Sequence, residues 1–206
     1  MAIACPTGLN TAVLRAEISG IYGRVADEPG GDFHFHRGPV YAAEFLGYDA
    51  SELAALPPGC TASFAGVGNP FAIGPIHTGE VVLDIGCGAG MDLLLSAKRA
   101  GASGCSIGVD MTDAMLERAR KSAADAGLGQ VEVRRGDATA LPVADGDVDV
   151  VTSNGVLNLV PEKQQTRCGT GSDLPRNGRR HGFRILVDAG RPADVDRPSI
   201  GASRAR

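Results

Sequence analysis

The sequence predicts an α/β protein built on a doubly wound parallel sheet. Short β-branched runs alternate with helical segments between residues 81 and 153, an alternation that is typical of βαβ units. The first run, Val81–Ile85, leads into a turn with glycines at positions 86, 88 and 90, and a helix is predicted from Met91. Such a turn lets main-chain amides and a helix N-terminus approach a nucleotide-like ligand. We therefore expect a binding site beyond the carboxyl ends of the strands.

The composition limits the classes of function. The 206 residues suffice for one domain with a small extension. With 20 basic and 24 acidic residues, the net charge of −4 does not favour a nucleic-acid partner held by bulk electrostatics. The sequence has no 18-residue apolar run and no signal-peptide pattern at its start. We expect a cytoplasmic protein with no membrane partner, and its oligomeric state is left open.

Metal and disulfide sites are not predicted. The five cysteines are scattered and form no C-x-x-C pair, which indicates neither a disulfide framework nor a zinc site. His34 and His36 alternate on one side of an extended segment, but no third ligand follows at a metal-site spacing.

Three regions are predicted along the chain. Residues 1–78 are expected to form a helical lid and lead-in, residues 79–165 the ligand-binding core, and residues 166–206 an irregular tail rich in Arg, Gly and Pro. In the lead-in, Asn10 is expected to cap a helix that runs to about Val25.

The rest of the lead-in is predicted to be helical as well. Residues 40–46 form a short helix, and Ser51 is expected to cap another helix that ends near Leu56. Tyr22, on the first helix, is either a cofactor contact or a half-buried structural aromatic.

The core continues with three further predicted strands, at residues 106–110, 131–134 and 148–153. A helix capped by Thr112 separates the second strand from the third, and Gly127 stands where a helix-ending glycine belongs.

Polar residues follow these strands at the expected ligand edge. Asp110 lies 20 residues after Gly90, at the end of the second strand, where a carboxylate can accept hydrogen bonds from both hydroxyls of a ribose. Asp137, after the third strand, is a candidate acceptor for an adenine amino group, with Met111 and Leu141 as candidates to sandwich the ring. For each acid taken alone, a solvated turn is the alternative.

The complete set of predicted cofactor contacts adds the glycine turn to these acids. Asp84 is expected to fix the turn or to meet the amino-acid end of the cofactor, and the glycines admit the main chain where a Cβ would clash. The predicted contacts are Tyr22, Asp84, Gly86, Cys87, Gly88, Gly90, Asp110, Met111, Asp137, Ala138 and Asn154.

The glycine spacing discriminates between cofactors. A dinucleotide fingerprint G-x-G-x-x-G would need a third glycine where Met91 stands, so an NAD-type oxidoreductase is disfavoured. The observed Asp-x-Gly-x-Gly-x-Gly resembles the cofactor turn of methyltransferases that use S-adenosylmethionine (SAM).

Within that group the chain resembles the arsenite methyltransferases and their close relatives over about residues 10–165. This resemblance implies a class I, Rossmann-like fold, SAM as methyl donor and trivalent arsenic as a possible acceptor. It is carried by Tyr41–Tyr48, Gly68–Pro70, Val82–Gly90, Ile107–Thr112 and Ser153–Lys163.

Two departures count against arsenic as the acceptor. The resemblance implies cysteine thiolates in the loop before the first strand and after the Ser153-Asn154 pair, yet Val67 and Gly155 occupy those positions. Soft trivalent arsenic calls for such ligands. Cys60, seven residues before Val67, is the one candidate substitute.

The tail does not continue the resemblance. Residues 167–206 contain nine Arg and no Lys, and only residues 183–187 have the pattern of a strand. We expect a sheet that is incomplete at its C-terminus. One hypothesis is a frameshifted or truncated gene product, and the alternative is a disordered or basic interaction tail.

The leading functional hypothesis is a SAM-dependent methyltransferase that acts on a small-molecule acceptor. Methyl transfer from a sulfonium is an in-line displacement in which positioning does most of the work, and no catalytic residue is singled out. The alternative is a catalytically inactive or truncated SAM-binding remnant.

Overall fold

The computed structural model describes residues 10–144, 146–156, 159–160 and 184–188. Four helices precede the first strand: α1 (Thr11–Asp27), α2 (Gly38–Leu46), α3 (Ala50–Ala54) and α4 (Pro58–Thr61), followed by a 3₁₀ turn at Pro70–Ala72. The remaining elements are β1 (Val81–Ile85), α5 (Met91–Ala100), β2 (Cys105–Asp110), α6 (Asp113–Asp125), β3 (Val131–Arg135), β4 (Val150–Asn154) and β5 (Arg184–Asp188).

The five strands form one parallel sheet in the order β3-β2-β1-β4-β5. The strand order reverses between β1 and β4, which places a crevice at the carboxyl ends of these two strands. The predicted doubly wound α/β fold is confirmed. The first three strands begin and end within one residue of their predicted bounds.

The tail contributes to this sheet. Its predicted strand at residues 183–187 is found at Arg184–Asp188, where it pairs with β4 in parallel, Val151 opposite Ile185. Residues 161–183 and 189–206 lie outside the described residues, so the expectations of an irregular tail and an incomplete sheet remain predictions there, as does the three-region division.

Helix α5 explains the position of the lead-in. Leu93, Leu94 and Leu95 are all at most 2% exposed although they point in different directions around the helix. One side of α5 packs on the sheet, and the other is covered by residues of α2–α4 such as Leu53. A helix this apolar needs a cover on both sides, and the lead-in supplies the second one.

Two predicted helix caps need correction. Asn10 caps α1 as predicted, and its Oδ1 accepts from the amides of the first turn. The cap of α3, however, is Asp49, whose carboxylate accepts from the Ser51 amide at 2.7 Å. Ser51 lies inside the helix, because a capping side chain must stand before the first turn to reach its free amides. Thr112 stands at the N-cap of α6, but its hydroxyl makes no capping bond.

Candidate cofactor and acceptor site

A cavity lies at the carboxyl ends of β1, β2 and β4, beneath α1. It brings together all the predicted cofactor contacts except Gly90. Leu141, a predicted ring contact, is not among its lining residues and packs against the core beside the sheet instead. The cavity is also lined by residues without a predicted role: Arg15, Ile18, Phe64, Asp92, Met115, Val156, Leu159 and Val160.

Gly86 lets the main chain of the turn lie close to the cavity. Its φ is +72°, and a Cβ added there would lie 2.1 Å from Val156 Cγ2, so no other residue fits without displacing the chain. Gly90 serves the fold rather than the cavity. With φ +99° it stands at the N-cap of α5, and a Cβ there would lie 3.4 Å from Ala119 on α6.

Asp110 ends β2 and holds the glycine turn in place. Its carboxylate accepts from the Gly88 amide at 3.0 Å and from the Thr112 amide at 2.8 Å. Burial raises the pKa of this carboxyl above its ordinary value, although the amide bonds oppose the shift. Each oxygen keeps a further lone pair, so the side chain can still accept hydrogen bonds from a ligand.

Asp84 lies within β1 and is 2% exposed. The Thr152 hydroxyl donates to its carboxyl group at 2.8 Å. Burial is the main reason why its pKa rises to about 8, and the neighbouring charge of Asp92 adds to the rise. The ionised form of Asp84 is therefore disfavoured in the free protein.

Asp137 follows β3 and differs from the other two acids. Burial opposes its ionisation, but hydrogen bonds from Thr139 and the Arg15 guanidinium outweigh that effect and lower its pKa. Arg15 Nε donates to its carboxylate at 2.9 Å, which ties α1 to the end of β3. Partly buried Tyr22, on the same helix, packs against Phe35 with ring centroids 6.3 Å apart.

A buried polar network closes the opposite end of the cavity. Asn154 Oδ1 accepts from the amides of Val67 at 2.8 Å and Gly68 at 3.1 Å. Its Nδ2 lies 3.0 Å from both Tyr48 Oη and Asp92 Oδ2, and the Tyr48 hydroxyl donates to Asp92 at 2.7 Å. The side chain of Asn154 thus fastens the loop before β1 to the end of β4.

The network holds Asp92 in an unusual state. Its carboxyl group is 6% exposed, and burial raises its pKa to about 6, although the bonds from Asn154 and Tyr48 oppose that rise. The burial of Tyr48, with the charge of Asp92, raises the pKa of the phenol as well.

The positions that the resemblance associates with arsenic-binding thiolates are neighbours in space. A Cβ added to Gly155 would lie 3.6 Å from Val67 Cγ1. Cys60 does not supply a thiolate, because its thiol donates to the Pro57 carbonyl at 3.1 Å and burial raises its pKa to about 12. Burial likewise raises the pKa of Cys87 well above its ordinary value.

Neither a metal cluster nor a membrane span is found in the described part of the chain. The described residues contain no group of three His, Cys, Asp or Glu side chains that could hold a metal ion. His36 stacks on Tyr41, and His34 meets Phe35 edge to face. None of the described helices is long and apolar enough to cross a membrane.

Comparison with known proteins identifies the domain. Residues 76–174 match the family described as a methyltransferase domain. This part of the chain is a methyltransferase domain. The match covers β1 to β4, with the glycine turn and the four acids that line the cavity, Asp84, Asp92, Asp110 and Asp137.

Relatives of the domain include arsenite methyltransferases. The arsenite methyltransferase of Halobacterium salinarum is 43% identical over 153 residues, which cover 74% of this chain and 39% of the relative. An arsenic(III) S-adenosylmethionine methyltransferase from Chlamydomonas reinhardtii has a solved structure with 35% identity and a TM-score of 0.51, covering 56% of this chain and 41% of that one. The aklanonic acid methyltransferase of a Streptomyces species is 36% identical over 102 residues, which cover 50% of this chain and 46% of the relative.

The chain spans less than half the length of each of these relatives. The prediction of a SAM-dependent methyltransferase domain resembling the arsenite methyltransferases is confirmed, including SAM as the cofactor of such domains. The matches do not assign the contacts that individual residues make with SAM.

Proposed function

We propose that the chain binds SAM in this cavity and transfers its methyl group to a small-molecule acceptor. The observation that carries the proposal is the arrangement of Asp84, Asp110 and Asp137 around a glycine turn that has no room for a side chain at Gly86. SAM supplies a cationic sulfonium centre with an electrophilic methyl group, and a wall of carboxyl groups suits a ligand of that charge.

Each of these residues contacts a different part of the cofactor. Asp110 accepts hydrogen bonds from the ribose hydroxyls, since its oxygens keep free lone pairs beside the Gly88 amide. Asp137 with Ala138 accepts the adenine amino group, and Met111 lies against the ring. Asp84 meets the amino-acid end, and Tyr22 covers the cofactor from α1.

The remaining predicted contacts act through the main chain. Gly86, Cys87 and Gly88 present their backbone to the cofactor, while the Cys87 side chain packs in the core. Gly90 and Asn154 position the turn and the neighbouring loop, because the Asn154 amide group already bonds the chain itself.

Titration calorimetry with SAM tests the binding half of this proposal. We expect saturable binding of one SAM per chain. Asp110→Ala should weaken it at least tenfold, because the ribose loses its acceptor and the turn loses its bond to Gly88. Asp125→Ala, on the exposed part of α6, is the matched control and should bind SAM like the wild type. Absence of SAM binding by the wild-type chain would refute the proposal.

Transfer of labelled methyl groups tests the second half. The resemblance suggests arsenite with a thiol as the first acceptor to assay, and the absence of a thiol at positions 67 and 155 predicts no methylated arsenic. An inactive SAM-binding remnant, the alternative function, would give the same calorimetric titration and no labelled product with any acceptor.

A further inference from the structure

The acceptor end of the cavity is walled by hydrocarbon. The ends of β1, β2 and β3 contribute carboxyl groups, which leaves the sector between α1, the loop before β1 and the end of β4 for the acceptor. The side chains that line this sector share an apolar character: Ile18, Phe64, Ala65, Val156, Leu159 and Val160.

The polar groups that border this sector are already bonded within the protein. The Cys60 thiol donates to the Pro57 carbonyl at 3.1 Å, and the Ser63 hydroxyl donates to the Val25 carbonyl at 3.4 Å. The amide group of Asn154 is held by the loop and by Asp92. Among the described lining residues, this sector contains no histidine or lysine, and the lining carboxyl of Asp92 already accepts hydrogen bonds from Tyr48 and Asn154.

We propose that the methyl acceptor is an apolar, ring-sized organic molecule that carries its own ionised oxygen, sulfur or carbon nucleophile, and that it is not trivalent arsenic. This inference rests on the proposed function, because the same cavity must hold SAM. A strongly hydrated or metal-like acceptor would lose its water or ligands here without replacement, whereas an apolar ring gains from burial against six hydrocarbon side chains.

The step balances without a protein base. The lone pair of the ionised acceptor atom forms the new bond to the methyl carbon as the sulfur–methyl bond breaks. The bonding pair stays on sulfur, so the positive charge of the sulfonium and the negative charge of the acceptor disappear together, and no proton has to move. Before the step, the cationic sulfonium compensates the charge of the acceptor, so no cationic side chain is required in the wall.

The residues at two neighbouring positions, 67 and 155, cannot bind trivalent arsenic. Val67 is fixed by the bond from its amide to Asn154, and a Cβ added at residue 155 would lie 3.6 Å from Val67 Cγ1, so the two positions adjoin and neither of them offers a thiol. Binding of trivalent arsenic requires thiolates. Of the two cysteines among the lining residues, Cys60 donates its thiol to the Pro57 carbonyl and Cys87 packs its side chain in the core, and burial raises the pKa of both.

Calorimetry on the full chain saturated with sinefungin tests the proposal. Sinefungin carries a cationic amine where the sulfonium of SAM would lie. The probes are 2-hydroxy-1,4-naphthoquinone, which is ionised at neutral pH, naphthalene as a neutral ring, and arsenite with glutathione. We expect at least one ring probe to bind and arsenite to show no heat above dilution. Ile18→Asp should weaken ring binding at least tenfold while sinefungin affinity stays within twofold. The conservative variant Ile18→Leu should bind the ring probe like the wild type.

Val13→Asp is the matched control, since Val13 lies on the same helix and is 54% exposed. It should bind both ligands like the wild type. The proposal is overturned if neither ring probe binds the sinefungin-loaded chain, if arsenite binds it, or if Ile18→Asp leaves ring binding unchanged. Failure of sinefungin to bind would instead refute the proposed function, so the two failures are distinguishable.

Discussion

The two ends of the cavity are built in different ways. At the cofactor end, Asp84 and Asp110 come from the ends of adjacent strands within one short stretch of sequence, and their carboxyl groups keep lone pairs available to a ligand. At the acceptor end, the walls come from α1, the loop before β1 and the segment after β4, and the polar groups there bond one another. The cofactor end is therefore specified locally, and the acceptor end only by the folded chain.

The largest effect should follow from a change that fills the cofactor end. Gly86→Ala adds a Cβ that meets Val156 in a left-handed backbone conformation, so we expect SAM affinity to fall at least a hundredfold. Gly127→Ala is the control, since Gly127 also has φ +65° but a Cβ there meets nothing within 4 Å. Both variants should lose about 1–2 kcal/mol of unfolding free energy from backbone strain. Calorimetry and thermal unfolding separate the two effects, and normal SAM binding by Gly86→Ala would contradict the assignment of the turn.

An intermediate effect should appear in the pH dependence of stability. Burial raises the pKa of Asp84 from 3.8 to about 8. Its ionised form is therefore disfavoured in the native state, and the resulting stability, fully present below pH 4, is lost as the pH rises through about 8. The asparagine in Asp84→Asn cannot ionise. Above pH 8 the free energy of unfolding of this variant should therefore exceed that of the wild type by at least about 1 kcal/mol, and its Tm should be roughly 2–4 °C higher.

The same substitution should weaken SAM binding, because the amide cannot ionise beside the cationic ligand, whereas the carboxyl group of Asp84 can. Asp125→Asn, at the exposed end of α6, is the control and should gain no stability at high pH. Thermal unfolding between pH 4 and pH 9 measures the stability of both variants, and titration calorimetry measures their affinity for SAM. A Tm difference that does not change with pH would contradict a buried, neutral Asp84.

Most of the cofactor end was predictable because local chemistry determines it. A β-branched run followed by alternating glycines fixes both β1 and the turn, and an acid at the end of β2 has few other roles once that turn is present. The start of β4 was predicted two residues early, at Val148 instead of Val150. Asp149 already bonds β1 there, with its amide donating to the Val81 carbonyl and its carboxylate accepting from the Val81 amide, but it does so outside the regular ladder.

The acceptor end could not be predicted in the same way. Tyr48, Asp92 and Asn154 are separated by 44 to 106 positions in sequence, and no pattern in the sequence relates them. Asp92 in particular is indistinguishable in sequence from an ordinary acid in the first turn of a helix. Its burial depends on the lead-in covering α5, which is a property of the packed chain.

Tyr48→Phe should have the smallest effect on SAM affinity, although it should clearly increase amide exchange in the loop before β1. The loss of the hydroxyl removes one donor from buried Asp92 and one partner from Asn154. A buried charged group that loses a hydrogen bond costs about 1.5–3 kcal/mol. The amides of Val67 and Gly68, which Asn154 holds, should therefore exchange their hydrogens at least about tenfold faster.

Tyr41→Phe is the matched control, because the Tyr41 ring stacks on His36 while its hydroxyl makes no hydrogen bond to any described residue. It should leave both amides protected, and neither variant should change SAM affinity by more than about twofold. Hydrogen exchange and calorimetry on the same samples decide between the two roles open to the network. If Tyr48→Phe weakens SAM binding as much as it loosens the loop, Asn154 belongs with the cofactor contacts; if only the loop loosens, the two ends of the cavity are energetically separate, and the acceptor end can be altered without loss of the donor.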